Sequence, residues 1–570
     1  MNNRKPLADA QELHKKGRIK DAERRYRKLL KRAPGDPEIS FYLGLALLQT
    51  GRGREAVGYF ETVAKVAPND PMVRDHLGQA LLAAHQYNKA IEQHLKAKAL
   101  APNRPEVLFN LGIALEQSGY FAEAAAEYRK AVQLAPNFFP AWANLGANLH
   151  KSGFYTDALP VLRKAHELNP GAPEPLATLI SALEFTFQDE EADRLTDKFL
   201  QIAAQHPAGL LMNAKKQERA GNIETACDLW RQATVAPLDD FRRSGAWYEL
   251  AKLQDKQGHY HEAFQCFEKS NALSASRREV SLMDPQERPR MVSAYLHRSS
   301  DAWVPKNPGQ TIADMPPLFF FVGFPRSGTT LMEQVLGAHP MIETTNEKSP
   351  FTDILDALPV KTKKQLPEAL DSLTGEQMDS LRETFLRSAR NITGSDLAES
   401  SLVDKLPLNL VELGPIQFLL PEAKAIIALR DPRDVCLSCF MQNFNLNQSM
   451  VQFLTLESTA RYYSAVMELW LHYRKTLSMK WIEYRYEDLV ADFEGTARHV
   501  LDFMDLPWDD SVNRYAEHAR NKDIQTPSRV AVTQPINSRA VSRWRNYEEE
   551  LKPILPILEP FVKEFGYEPS

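Results

Sequence analysis

The stretch "FFFVGFPRSGTTLMEQVL", residues Phe319–Leu336, decides the fold of the second half of the chain. Leu318 to Val322 is a continuous apolar run, the pattern of a strand buried on both faces of a parallel sheet. Gly323 opens a turn, and a helix-forming run starts at Thr329. A glycine-bearing turn between strand and helix aims backbone N–H groups at one spot and adds the positive end of the helix dipole, which suits a phosphate or a sulfate. A nucleoside triphosphate loop reads G-x-x-x-x-G-K-[ST], with the lysine reaching the β and γ phosphates. Gly323 and Gly328 keep that frame, but Thr329 holds the lysine position and the cation is Arg326, inside the loop. A kinase or NTPase, which predicts Mg²⁺-dependent ATP binding, is therefore disfavoured.

Outward from the loop, 570 residues exceed what one hydrophobic core supports, so two or more domains are expected. A net charge of −5 gives no global basic field, and bulk nucleic-acid binding is not expected. The start, "MNNRKPLADAQELHKKGR", lacks the apolar core of a signal peptide, and no window reaches the apolar length of a membrane span. The four cysteines, Cys227, Cys266, Cys436 and Cys439, are too few and too badly spaced for a disulfide framework. A cytoplasmic protein with reduced thiols is the expectation. Cys436 and Cys439 form a CxxC without a matching second pair, and are read as helix packing.

The first half repeats. Prolines recur every 34 residues at Pro34, Pro68, Pro102, Pro136 and Pro170. Gly44, Gly78, Gly112 and Gly146 keep the same step, as do Ala22, Ala56, Ala90, Ala124 and Ala158. Small residues let two helices approach closely, and the proline ends the second helix of each unit. This stretch resembles tetratricopeptide repeats, which implies an all-α solenoid. The register is regular to about residue 172 and degenerate to about 276, where "GNIETACDLWRQA" and "GHYHEAFQCFEKSNAL" still look like second-helix halves. A concave helical surface of this kind is expected to hold a protein partner, with a spacer or dimerisation arm as the alternative. Residues 277–317, rich in Pro, Ser and charge, read as a linker with room for one helix, either docked or mobile, and a second domain as 318–570.

The residues "PRSGTT", Pro325 to Thr330, after an apolar strand resemble the loop of sulfotransferases, which holds the 5′-phosphosulfate of 3′-phosphoadenosine 5′-phosphosulfate (PAPS). A donor with one 5′-phosphate has no need of the missing lysine. The resemblance implies an α/β, P-loop-like domain with a parallel sheet, PAPS as co-substrate and no metal. It also implies a second cradle for the 3′-phosphate, and "AKAIIALRDPRDVCLSCF" supplies an apolar strand, Arg430 at its end and Ser438 eight residues on. Carboxyl-end crevices of open α/β sheets are where ligands bind.

The domain is most similar to the tyrosylprotein sulfotransferase-like branch. There a catalytic Glu follows the loop Arg by twenty-one residues, and a catalytic Lys precedes the 3′-phosphate Arg by twenty-five; Glu347 and Lys405 stand at those distances from Arg326 and Arg430. Tyr486, Ser528 and Arg543 match further donor-contacting positions, with Arg543 in place of the family's Lys and Gln442 in place of a family Arg. The implied donor set is Arg326, Ser327, Gly328, Thr329, Thr330, Arg430, Ser438, Tyr486, Ser528 and Arg543; the implied catalytic set is Glu347, Lys405, Arg326 and Ser528. Glu347 takes the acceptor's proton, while Lys405, Arg326 and Ser528 stabilise the sulfuryl and leaving-phosphate oxygens. A phenol titrates near about 10 and a free carboxylate near about 4.3, so that proton moves only as the new bond forms, or after burial has raised the base. The acceptor that the resemblance implies is a hydroxyl, with tyrosine of a protein or peptide first and a glycan, lipid or small molecule as alternatives. A non-catalytic PAP-binding repeat scaffold is the reading from another class. His339 is read as structural, and Trp544 as packing the last segment across the donor.

Overall fold

The structure, a computed structural model, describes residues 4–298, 303–305, 315–358, 366, 368–521 and 532–569. The chain divides into two compact units, Met1–Ala226 and Cys227–Ser570.

The first unit is a run of antiparallel helix pairs, such as Pro105–Gln117 with Phe121–Leu134. The period is visible in its parts. Pro34, Pro68, Pro102, Pro136 and Pro170 sit in the turns between pairs. The periodic alanines, Ala22 through Ala158, are fully buried. A Cβ on Gly112 would lie 2.5 Å from the Tyr128 ring, so only glycine lets the two helices of that pair meet.

The second unit is built on a five-stranded, all-parallel sheet, order β2-β3-β1-β4-β5: β1 (Leu318–Gly323), β2 (Ile342–Thr344), β3 (Ser401–Lys405), β4 (Lys424–Leu429) and β5 (Trp481–Arg485). β1 and β3 are buried along their whole length, as the continuous apolar reading of 318–322 requires. From β1 the chain goes outward to β2, returns to β3 beside β1, and then crosses to β4 on β1's other side. That reversal opens a crevice at the carboxyl ends of β1 and β4, and the helices Thr329–Gly337 and Pro432–Phe440 start there.

Two stretches add to the sequence reading. The last helix pair of the repeat register, Asp240–Lys256 and Tyr260–Ala275, falls in the second unit, so the division between compact units precedes residue 276. The described part of 277–317 packs on its own unit. Helix Glu287–Leu296 buries Val292 and Tyr295, the Tyr295 hydroxyl donates to Glu412 at 3.0 Å, and Trp303 is fully buried. The polar composition of that segment hid a few aromatic anchors that dominate its energetics. No helix among the described residues is long and apolar enough to cross a membrane.

Candidate functional site

The loop after β1 is held in a costly backbone shape. Arg326 has φ +70° and Gly328 +88°, and Gly328 gives way to Tyr486, whose ring would meet an added Cβ at 2.4 Å. Ser327, Thr329 and Thr330 are buried around the start of helix Thr329–Gly337. Arg326 Nε donates to Ser438 Oγ at 3.0 Å, which ties the loop to the helix after β4. Arg430, at the end of β4, donates to the Arg326 carbonyl at 2.9 Å and to the Ala540 carbonyl at 2.5 Å. Its guanidinium lies 4.9 Å from the centre of the Tyr486 ring. Arg430 is buried, and its nearest carboxylate partner is Asp434 at 3.8 Å, so it is not the exposed ion pair a strand-end Arg-Asp dipeptide suggests. Asp431 instead holds Arg433 by two contacts, at 2.9 and 2.7 Å.

Electrostatics favour an anion here. Burial holds Arg326 below the usual arginine value, and the charges of Arg430 and Arg543 push in the same direction. Burial raises the Asp434 carboxyl to about 6, against the pull of Arg430, so the Asp434 charge weakens only as pH falls towards that value. Three guanidiniums, of which Arg543 is paired with Asp255, stand beside a helix N-terminus and a strained loop, an arrangement that fits an anionic ligand.

A second cluster sits at the end of β3. Lys405 Nζ is fully buried, 2.6 Å from Glu347 Oε1 and 2.8 Å from Glu333 Oε2. The parallel β2–β3 pairing puts Thr345 beside it, and Thr345 Oγ1 accepts from the Lys405 backbone N–H at 3.1 Å. Asn346 and Glu347 follow with positive φ, +49° and +65°, turning the Glu347 side chain to the lysine. Burial works against the Lys405 ammonium, yet the two carboxylates outweigh it and hold the group above the usual lysine value. Glu347 keeps a third of its side-chain surface exposed while Glu333 is 1 % exposed, so one carboxylate faces solvent and the other the interior. Beneath them Asp404 accepts from Ser349 Oγ at 2.8 Å and from the Phe351 N–H at 3.4 Å; burial raises its carboxyl to about 7.

The structure thus joins Arg326, Ser438, Arg430 and Tyr486 in one cluster and Glu347 with Lys405 in another. Glu333, one turn beyond Thr329 and Thr330 on the loop's own helix, links the two. Arg543 is engaged by Asp255 at 2.7 Å, and Gln442 reaches the Tyr248 hydroxyl at 3.4 Å. Ser528 lies outside the described residues. Sequence reasoning missed Glu333, Asp255 and Tyr248. Glu333 had one signal, its place one helical turn beyond the loop threonines Thr329 and Thr330. His339 accepts from the Met341 N–H at 3.2 Å and reaches the Pro507 carbonyl at 3.0 Å, a loop-bracing role. Trp544 stacks under the Arg433 guanidinium at 3.9 Å and its backbone N–H donates to Asp434 Oδ1 at 2.8 Å, fastening the Arg543–Tyr547 segment to the helix after β4. Both CxxC thiols are buried in that helix, and Cys439 donates to the Pro325 carbonyl at 3.3 Å.

Residues 317–510 match the sulfotransferase family, and residues 7–71, 105–138 and 244–276 match tetratricopeptide repeats. Human protein-tyrosine sulfotransferase 1 is 30% identical over 272 residues, 45% of this chain and 70% of that protein. Protein-tyrosine sulfotransferase A of Caenorhabditis elegans is 26% identical over 269 residues, 45% of this chain and 68% of that protein. An uncharacterized protein of Aquifex aeolicus (strain VF5) is 27% identical over 398 residues, 68% of this chain. The chain spans only 50% of that protein's length. With its strand, loop and paired cradles carried on a parallel sheet, the chain belongs to the sulfotransferase family and has tetratricopeptide repeats ahead of that domain.

Proposed function

We propose that the chain moves the sulfuryl group of PAPS to an acceptor hydroxyl, and that the acceptor is tyrosine in a protein or peptide. The observation that carries the reading is the 2.6 Å pair of Glu347 and Lys405, two residues far apart in sequence that the reading required together. The names and identities of the tyrosine-specific relatives support the acceptor class.

PAPS, when bound, supplies the sulfuryl group and a phosphate leaving group. Arg326, Arg430 and Arg543 neutralise the phosphates and fix the donor against the loop. Glu347, on the exposed side of the lysine, takes the proton as the acceptor oxygen bonds to sulfur. The sulfur–oxygen bond to the 5′-phosphate breaks with its electron pair staying on the phosphate, where Lys405 and Arg326 stabilise the growing charge. Glu333, 2.8 Å away on the buried side, remains beside Lys405 as its partner when Glu347 takes the proton. The solenoid's part in this reading is to hold the polypeptide acceptor or a partner protein.

Calorimetric titration with PAP, run beside ATP with Mg²⁺ on wild type and Arg430→Ala, tests the donor assignment. Binding of PAP that the substitution weakens at least about tenfold, with no ATP binding, is the expected result. No PAP binding by wild type overturns it. Labelled PAPS offered with tyrosine peptides, glycans, lipids and small hydroxyl compounds then tests the acceptor.

A further inference from the structure

We infer that the helix pair Asp240–Lys256 and Tyr260–Ala275 is part of the donor site, with Asp255 as the residue that positions Arg543. The inference rests on the reading that Arg326, Arg430 and Arg543 receive the phosphates of PAPS. By sequence this pair is the tail of the repeats, and nothing in its composition points to a nucleotide.

Both oxygens of Asp255 are committed to one short segment of the sheet domain. Oδ2 accepts from Arg543 Nη2 at 2.7 Å, and Oδ1 accepts from the Tyr547 hydroxyl at 2.6 Å. Tyr248 stands seven residues earlier on the same helix, hence on the same face, and its hydroxyl meets Gln442 at 3.4 Å. From the second helix, Asn271 donates to the Phe440 carbonyl at 2.9 Å, at the end of the helix that carries Ser438, and Phe264 packs on the Phe440 ring at 4.9 Å. The pair therefore braces three separate donor-site positions: Arg543, Gln442 and the helix of Ser438.

A simple packing role does not explain a carboxylate placed here. A negative charge beside a phosphate site repels the ligand, whereas an apolar residue would secure the interface without that penalty. What the carboxylate does supply is direction. An arginine has many rotamers, and fixing them when the ligand arrives weakens binding; its directed bond to Asp255 fixes them beforehand. The Tyr547 hydroxyl in turn holds the carboxylate, so the guanidinium is oriented by a chain of two hydrogen bonds.

The test is PAP titration of the full-length protein as wild type, Asp255→Ala, Arg543→Ala, the double variant and Asp255→Asn. Asp255→Ala should weaken PAP about three- to tenfold, the cost of one newly mobile arginine. In the Arg543→Ala background the same change should cost nothing more. Asp255→Asn, whose amide oxygen still accepts from the guanidinium, should recover most of the loss. Unchanged or tighter binding by Asp255→Ala, or an equal loss with and without Arg543, overturns the inference and leaves the donor assignment standing. Wild type that does not bind PAP overturns both.

Discussion

Lys405→Met separates the lysine's chemical role from its role in the fold. Lys405 has no exposed surface and stands 2.8 Å from Glu333 and 2.6 Å from Glu347. Methionine keeps the length and removes the charge. Glu347 is a third exposed and recovers hydration, while Glu333, 1 % exposed, loses the ammonium that balances it. Removing one member of a buried pair costs about 3–5 kcal/mol, and that cost falls on Glu333. Its sign with pH follows from linkage. A buried carboxylate that loses an ammonium counter-charge is harder to ionise in the folded state than in the unfolded one, so the deficit is absent below about 4.3 and grows as pH rises above it. The deficit should be small near pH 4.5 and full at pH 8. Adding Glu333→Gln removes the charge itself, so the double variant should regain most of the stability at pH 8 while sulfuryl transfer stays down at least about a hundredfold. Urea unfolding followed by tryptophan fluorescence reads the right unit, because seven of the eight tryptophans, all but Trp142, lie in Cys227–Ser570. A deficit that does not change with pH, or that Glu333→Gln does not relieve, refutes the assignment of the buried counter-charge.

Three further outcomes are expected. Gly328→Ala places a side chain at φ +88° and 2.4 Å from the Tyr486 ring, so it should lower the melting temperature and abolish measurable PAP binding; Gly328→Ala with Tyr486→Ala should recover part of the stability, measured by calorimetric melting. Asp404, raised by burial to about 7 against an unfolded value near about 3.9, destabilises the fold increasingly as pH rises between those values, by at most about 1.4 kcal/mol per pH unit. Asp404→Asn should therefore be more stable than wild type at pH 8, with the gap closing towards pH 4 in melts taken across that range. Glu347→Gln should cut turnover by about a hundredfold or more with PAP affinity unchanged, measured by product release and titration side by side.

Much of this architecture was legible in the sequence because it rests on local pattern. The 34-residue step fixes which helix faces meet, and the apolar runs at 318–322 and 425–429 specify buried parallel strands. Glu347 and Lys405 were readable through the family resemblance alone, by their intervals from Arg326 and Arg430. What escaped was chosen by tertiary packing. Arg543 and Asp255 are 288 residues apart, and no periodicity relates them. Helix Glu287–Leu296 has only two buried residues, Val292 and Tyr295, too few to outweigh its polar composition in a window. Glu333 looked like an ordinary helical residue because its partner Lys405 arrives on a strand two crossovers away. The departures from the family pattern, Gln442 and Arg543, make sense only beside Tyr248 and Asp255, which the sequence assigns to another domain.

The most direct test of the central claim is the fate of sulfur from labelled PAPS incubated with the full-length protein and a tyrosine-containing peptide. The account predicts labelled tyrosine O-sulfate formed in a one-to-one ratio with PAP, lost in Glu347→Gln and in Lys405→Met. Tight PAP binding with no transfer to tyrosine or to any other hydroxyl in the panel contradicts it, and makes the domain a nucleotide-binding scaffold instead.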